Sequence, residues 1–236
     1  MGSVDTLVID LQNNIGGAEV TPLVAALAKR PFYDLSIRFR KTTSLENDTI
    51  RPYLFWFNPR LENWFANLRE RENYTSLAYG DFLPPCADFC RGSPSCEMKP
   101  IKPAAKLDIK SIILVTNYYC LSSCDDFAWR MRDYADAQIT GQPHAADATY
   151  SRITLAYHYD LGKIYRKEYG PGQPMNESNL FFTVTLPNSA TVSRAGYPIQ
   201  GVPAKLDYEV PLVQSQYKDF ETYTLLKVLK QYRLIK

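Results

Sequence analysis

Two serines followed by two aspartates stand where an apolar run gives way to a helical pattern. The stretch TNYYCLSSCDDFAWRM, residues 116–131, contains them. A serine at a helix N-terminus lies beside unpaired backbone N–H groups and the positive end of the helix dipole. Ser122 could therefore attack a carbonyl carbon while neighbouring amides bind the resulting oxyanion. The same residues could instead form a capping box between Ser122 and Asp125, with Asp in place of the usual Glu or Gln.

A glycine-rich turn and one histidine could complete such a site. The stretch DLQNNIGG, residues 10–17, ends in paired glycines, which allow a backbone to approach a substrate closely. The alternative is a tight strand-to-helix turn that needs glycine at positive φ. His144 is one of only two histidines, with His158, and imidazole is the usual base near neutral pH. A histidine in a turn can equally be a surface residue.

The elements around these residues predict an α/β core with crossover connections. Apolar runs and helical spacing alternate along the first part of the chain, whereas the last third reads as strands separated by Gly, Pro and Asn turns. The predicted strands are residues 6–11, 32–42, 110–117, 137–143, 150–161, 163–170 and 179–188, and the predicted helices are residues 19–29, 123–134 and 219–234.

A region of weaker pattern interrupts this alternation. Residues 44–105 are rich in Pro, Asn and aromatic side chains and contain one helical stretch, residues 59–74, and a Cys/Pro-rich loop. We therefore expect a core formed by residues 1–43 and 106–236 and an insertion formed by residues 44–105. Since the chain begins almost directly in a strand, we also expect an upstream part to be missing.

Charge and hydropathy exclude several classes of partner. The 27 basic and 25 acidic residues give a net charge of +2 and form no long like-charge block, so nucleic acid and anionic membranes are not expected partners. No apolar stretch approaches the roughly 20 residues that span a bilayer. The first residues, MGSVDTLVID, also lack the order of a signal peptide.

The five cysteines fall into two groups. Cys86, Cys90 and Cys96 lie in the Pro-rich loop, and Cys120 and Cys124 flank the two serines. Zinc sites usually gather four Cys or His ligands, and no histidine is near the first group, so we expect no metal. A disulfide in the Pro-rich loop of an exported protein is favoured over free thiols.

Three motifs together resemble the tail-specific, or C-terminal processing, serine peptidase family. They are TLVIDLQNNIGG, the stretch from ILVTNYYCLSSCDD to ADAQITGQP, and GYPIQGVPAKLDYEVP, which occur in the family's order and approximate spacing. The resemblance covers residues 6–42 and 110–236. It implies a ClpP/crotonase-like α/β spiral core of ββα units, with the irregular region as an insertion.

The resemblance also implies roles for individual residues. Ser122 falls on the nucleophile, and the amide of Ser123 with that of Gly16 or Gly17 would form the oxyanion hole. Asp125 falls on the acid that supports the site. The implied function is a serine endopeptidase that hydrolyses polypeptides through an acyl-enzyme, without metal or organic cofactor, in the periplasm or outside the cell. Neither sequence nor resemblance indicates an oligomeric state.

The chain departs from the family pattern at the base. The position of the family's catalytic Lys is Asp147 here, and Gln12 replaces the usual Arg. His144 or Asp147 would then accept the proton, unless the base is a histidine upstream of the glycine motif, as in the tricorn-like branch. One alternative function is an inactive peptidase-fold domain that binds peptides or small ligands. A weaker one is an esterase-like acyl-transfer activity.

Overall fold

The fold combines parallel and antiparallel sheets with α-helices. The computed structural model describes residues 4–17, 19–33, 36–42, 78, 81–82, 86–87, 100–104, 107–147, 152–169, 174–187, 189–193 and 199–236. Within these residues the strands are β1 (Val4–Asp10), β2 (Ser36–Phe39), β3 (Cys86–Ala87), β4 (Ile109–Thr116), β5 (Gln138–Gly141), β6 (Arg152–Asp160), β7 (Lys163–Tyr169), β8 (Leu180–Pro187), β9 (Ser189–Val192) and β10 (Tyr208–Glu209). The α-helices are α1 (Thr21–Leu27), α2 (Ser123–Ala135) and α3 (Phe220–Gln231), and a 3₁₀ helix, Gln214–Asp219, leads into α3.

The chain divides by its internal contacts into two units. The first contains residues 1–34, 99–148 and 197–236, and the second contains residues 35–98 and 149–196. The sequence had assigned residues 149–196 to the predicted core. By their contacts residues 149–196 group with residues 35–98, and the predicted division into core and insertion stays a prediction.

A parallel four-stranded sheet forms the centre of the first unit. Its order is β1-β4-β5-β10, and every neighbouring pair is parallel. Parallel neighbours require crossover connections, and α2 provides the one between β4 and β5. The predicted mixed α/β architecture with a parallel sheet is confirmed.

Strand β4 is buried on both faces, which explains its unbroken apolar run. Ile112 and Leu114 pack in a core cluster with residues of α1 and α2, whereas Ile113 and Val115 pack with Val228 of α3 on the other face. A strand covered on both sides reads as continuously apolar instead of alternating. Full burial of each such side chain contributes about 1.5–3 kcal/mol.

The parallel pairing of β1 and β4 brings the two motifs together. Asp10, at the end of β1, is in register with Val115, one residue before the end of β4. Because the strands are parallel, the glycine turn that follows β1 and the serine stretch that follows β4 emerge at the same edge of the sheet.

A buried ion pair within helix α2 positions an arginine that is hydrogen-bonded to helix α1. Asp126 and Arg130 lie one turn apart, both nearly inaccessible to solvent, and their side chains are hydrogen-bonded to each other. Arg130 Nη1 also donates to Thr21 Oγ1 at the start of α1, at 3.1 Å. This network connects the two helices that cover one face of the sheet.

The second unit contains two antiparallel sheets, ordered β3-β2-β9 and β7-β6-β8. The turn between β6 and β7 has positive φ at both central residues, Leu161 (46°) and Gly162 (80°), as a type I′ hairpin requires. Strands β6, β7 and β8 confirm the three strands predicted for the last third of the chain.

Some predictions lie outside the described residues. The helix predicted within residues 59–74 and the Cys/Pro-rich loop beyond residue 87 are among them. Among the helices that are described, none combines the length and apolar character needed to span a membrane.

Candidate active site

Ser122 occupies a strained turn immediately before α2. Its backbone has φ 57° and ψ −118°, a region that non-glycine residues rarely adopt and that costs about 1–3 kcal/mol. The side chain is exposed and makes no capping hydrogen bond to the helix. The alternative of a capping box is therefore wrong, and the hydroxyl faces solvent at the helix N-terminus.

Gly16 of the glycine turn closely contacts the backbone around Ser122. A Cβ atom on Gly16 would lie 2.5 Å from the Leu121 carbonyl oxygen, 2.8 Å from the Ser123 amide nitrogen and 2.9 Å from Ser122 Cβ. Gly16 also has φ +79°, which disfavours any other residue. Only glycine therefore allows this approach of the two motifs.

The backbone amides of Ser123 and Gly17 lack an acceptor within the described part of the chain. Ser123 is the first residue of α2, so its N–H has no partner inside the helix. The Gly16 amide donates to Asn14 Oδ1 at 2.9 Å, whereas the Gly17 amide has no such partner. Of the two predicted glycines, Gly17 is the one whose N–H is available to a ligand.

Asn14 is a residue of this site that the sequence reasoning did not single out. Besides accepting the Gly16 amide through its side chain, it accepts the Leu121 amide through its carbonyl oxygen at 3.0 Å. It thereby joins the glycine turn to the serine stretch. The available signal was its place within the DLQNNIGG motif.

Asp125 anchors the loop that follows β5. Its fully buried carboxylate accepts hydrogen bonds from His144 Nδ1, from the Ala146 amide at 2.9 Å and from the Asp147 amide at 2.9 Å. Three donors converge on the side chain of Asp125, the third residue of α2 and three positions after Ser122. The loop of residues 144–147 is therefore fixed relative to the helix N-terminus.

Both ring nitrogens of His144 are engaged. Nδ1 is hydrogen-bonded to Asp125, and Nε2 accepts the Ala204 amide at 2.7 Å. An Nε2 that accepts an N–H carries no proton, so this network fixes the tautomer with hydrogen on Nδ1. In this arrangement His144 has no lone pair left to take a proton from Ser122, and it connects α2 to the segment around Ala204.

Asp147 is joined directly to the backbone of Ser122. The Ser122 amide donates to the Asp147 carbonyl oxygen at 3.1 Å, and the side chain of Asp147 is half-buried. The structure thus joins Ser122, Ser123, Asp125, Gly16, His144 and Asp147 by hydrogen bonds and close backbone contacts, and Gly17 directly follows Gly16 in the chain.

A disulfide bond also lies next to the proposed nucleophile. A disulfide joins Cys120 to Cys124 and encloses Ser122. Within the described ranges, no group of three or more His, Cys, Asp or Glu side chains is arranged to hold a metal ion.

Three solved structures superpose on this chain with TM-scores above 0.5. Mature CPAF in complex with lactacystin superposes with a TM-score of 0.57 and 19% identity, over 97% of this chain and 44% of CPAF. Mature CPAF alone gives 0.54 and 18%, over 93% and 42%. A protein of Parabacteroides merdae described as a predicted peptidase gives 0.53 and 10%, over 96% and 51%.

The chain spans about half the length of these proteins or less. No family model and no curated protein sequence matches it. At such low identities the likeness concerns the fold. The chain has the fold of the tail-specific proteases, of which CPAF is one, and the resemblance that its three motifs predicted is confirmed.

Proposed function

We propose that this chain is a serine endopeptidase domain that hydrolyses peptide bonds through an acyl-enzyme on Ser122. The observation that carries the proposal is the conformation of Ser122, an exposed, uncapped hydroxyl in a strained turn with the Gly16 backbone packed against it. Strained backbone conformations of this kind cluster at active sites. The motif resemblance and the neighbour described as a peptidase support polypeptides as the substrate class. From the motif resemblance alone we also propose a ClpP/crotonase-like spiral as the finer architecture.

The chemistry follows from the groups around Ser122. Its Oγ attacks the scissile carbonyl carbon, and the hydroxyl proton passes to an acceptor. The amides of Ser123 and Gly17 bind the oxyanion, where each donor contributes roughly 10²–10³-fold to kcat. The acceptor then returns the proton to the leaving amine, and water hydrolyses the acyl-enzyme.

We assign the acceptor to Asp147 and positioning roles to Asp125 and His144. Asp147 stands at the position of the catalytic Lys in the family that the motifs resemble, and its carbonyl oxygen accepts the Ser122 amide. Both nitrogens of His144 are engaged in hydrogen bonds. Asp125 binds the amide of Asp147, which keeps its backbone beside the nucleophile. Asp147→Asn preserves shape and should lower kcat by about 10²–10⁴-fold, the usual contribution of a positioned base. A wild-type kcat in this variant would remove the assignment.

A comparison of Ser122→Ala with Ser123→Ala tests the nucleophile. Peptide cleavage is followed by mass spectrometry of the products. Ser122→Ala should abolish cleavage without loss of stability, because the Ser122 side chain is exposed and makes no capping bond. Ser123→Ala keeps the backbone amide and should remain active. Equal turnover in wild type and Ser122→Ala would contradict the proposal.

The second candidate is a peptidase-fold domain that binds peptides without cleaving them. The engaged nitrogens of His144 favour it, since the one imidazole at the described site has no free lone pair for the Ser122 proton. If the wild-type protein binds extended peptides but does not cleave them, this second function is the correct one.

The oxidised pair of cysteines supports a location outside the reducing cytosol. Disulfides persist in the periplasm and in secreted proteins, and Cys120 is joined to Cys124 here. We accordingly propose a periplasmic or secreted enzyme.

A further inference from the structure

Two buried cysteines enclose the segment that carries Ser122. The disulfide holds the Cα atoms of Cys120 and Cys124 5.2 Å apart, and the two residues are 0% and 2% exposed. Only residues 121–123 lie between them. These three residues contain the proposed nucleophile and one of the two proposed oxyanion amides.

The two cysteines pack in the same core cluster, but one lies in the loop after β4 and the other in α2. The Cys120 amide donates to the Asn117 carbonyl oxygen at 2.9 Å, and its own carbonyl oxygen accepts the Ala145 amide at 3.1 Å. Cys124 lies in the first turn of α2 and packs in the core cluster. The disulfide therefore fixes the distance between the loop after β4 and the start of the helix.

Ser122 needs such a constraint because its positive φ is intrinsically unfavourable. Its amide is bonded to Asp147 and its carbonyl oxygen to the Asp126 amide, each at 3.1 Å. Relaxation toward negative φ would turn the peptide group between Ser122 and Ser123. The Ser123 N–H would then point away from the position that an oxyanion occupies.

We propose that the Cys120–Cys124 disulfide holds Ser122 in its reactive conformation, so that reduction of this bond switches the site off. This inference rests on the proposed nucleophilic role of Ser122. In the reduction, a dithiol transfers two electrons and two protons to the S–S bond. Cys120 and Cys124 become thiols, and the dithiol leaves as a cyclic disulfide.

The test is the rate at which a fluorophosphonate labels Ser122, measured by mass spectrometry per folded molecule. Oxidised wild type, wild type treated with dithiothreitol and Cys120→Ala/Cys124→Ala are compared, and alkylation identifies the thiols formed. The reduced protein and the double variant should both react about 5- to 150-fold more slowly, the range for losing one strained conformation. In peptide cleavage the loss should fall on kcat, with KM unchanged.

The double variant also controls for the other cysteines. Dithiothreitol should not change the labelling rate of the double variant, because this variant lacks the Cys120–Cys124 disulfide. A change in its rate would come from the remaining cysteines, which are present in both proteins. A folded double variant that labels at the wild-type rate would overturn the inference, and so would reduced wild type that does so. If wild type resists reduction, the double variant decides; if the double variant does not fold, reduced wild type decides.

The oxidised wild type separates the two proposals. If it forms no adduct on Ser122, the nucleophile assignment fails. Hydrogen exchange at the Asp126 amide, which is bonded to the Ser122 carbonyl oxygen, then reports on the turn without any activity. Faster exchange on reduction supports the disulfide as the constraint, and unchanged exchange contradicts it.

Discussion

Substitution of Gly16 by alanine perturbs the contact on which the proposed site depends. The added Cβ would meet the Leu121 carbonyl oxygen at 2.5 Å, and the backbone would keep φ +79°. Raising that separation to the roughly 3.3 Å of a close carbon–oxygen contact requires a movement of about 0.8 Å. The atoms that must move are backbone atoms on both sides of Ser122.

Two costs follow from this geometry. Positive φ costs an alanine about 1–2 kcal/mol, and overpacking adds about 1–3 kcal/mol, so Gly16→Ala should lower the free energy of unfolding by about 2–5 kcal/mol. A displacement near 1 Å at a reacting group costs on the order of 10²-fold in rate. Fluorophosphonate labelling of Ser122 should therefore slow by about that factor.

Gly162→Ala is the matched control. Gly162 has φ +80°, almost the same as Gly16, but a Cβ there meets nothing within 4 Å. Gly162→Ala should lower the free energy of unfolding only by the cost of positive φ, about 1–2 kcal/mol in urea titrations. Its Ser122 should react with the fluorophosphonate at the wild-type rate. If Gly16→Ala labels as fast as Gly162→Ala, the close approach of the glycine turn does not organise the site.

Two further predictions concern the surroundings of the site. Asp126→Ala should lower the free energy of unfolding by about 3–5 kcal/mol in urea titrations, because the buried Arg130 loses its carboxylate partner; replacing both residues by apolar ones should cost less. The Asn13 side chain lowers the pKa of Glu221 by hydrogen bonding to its carboxylate. Because the pKa of Glu221 is lower in the folded state than in the unfolded state, its ionised form stabilises the fold. This stabilisation is fully present above the unfolded-state pKa and is lost as the pH falls through the folded-state pKa. Asn13→Ala should raise the pKa of Glu221, measured by NMR titration, and should make the loss of stability at low pH smaller. An unchanged Glu221 pKa would contradict the assigned cause.

The sequence predicted the elements that position the site because each has a local signature. The apolar runs that became β1 and β4, and the helical spacing that became α2, depend on neighbouring residues alone. Parallel pairing then follows from the alternation of strands and helices. The meeting of the DLQNNIGG and serine motifs at one sheet edge could therefore be anticipated.

The partners of the polar side chains could not be predicted in the same way. Asp125 has the spacing of a capping residue, yet it binds His144, 19 positions further along the chain, while His144 binds Ala204, 60 positions further again. Such pairs depend on how distant loops pack. The spacing of Cys120 and Cys124 likewise did not predict their disulfide, because the turn at Ser122 is what brings the two side chains together.

The most direct test of the central claim is the reaction of folded wild-type protein with a fluorophosphonate, with heat-denatured protein as control. The adduct is located by mass spectrometry. An adduct on Ser122 that forms only in the folded protein is predicted, since the exposed hydroxyl, the Gly16 contact and the free amides exist only there. No adduct, an adduct on another serine, or equal labelling after denaturation would contradict the account.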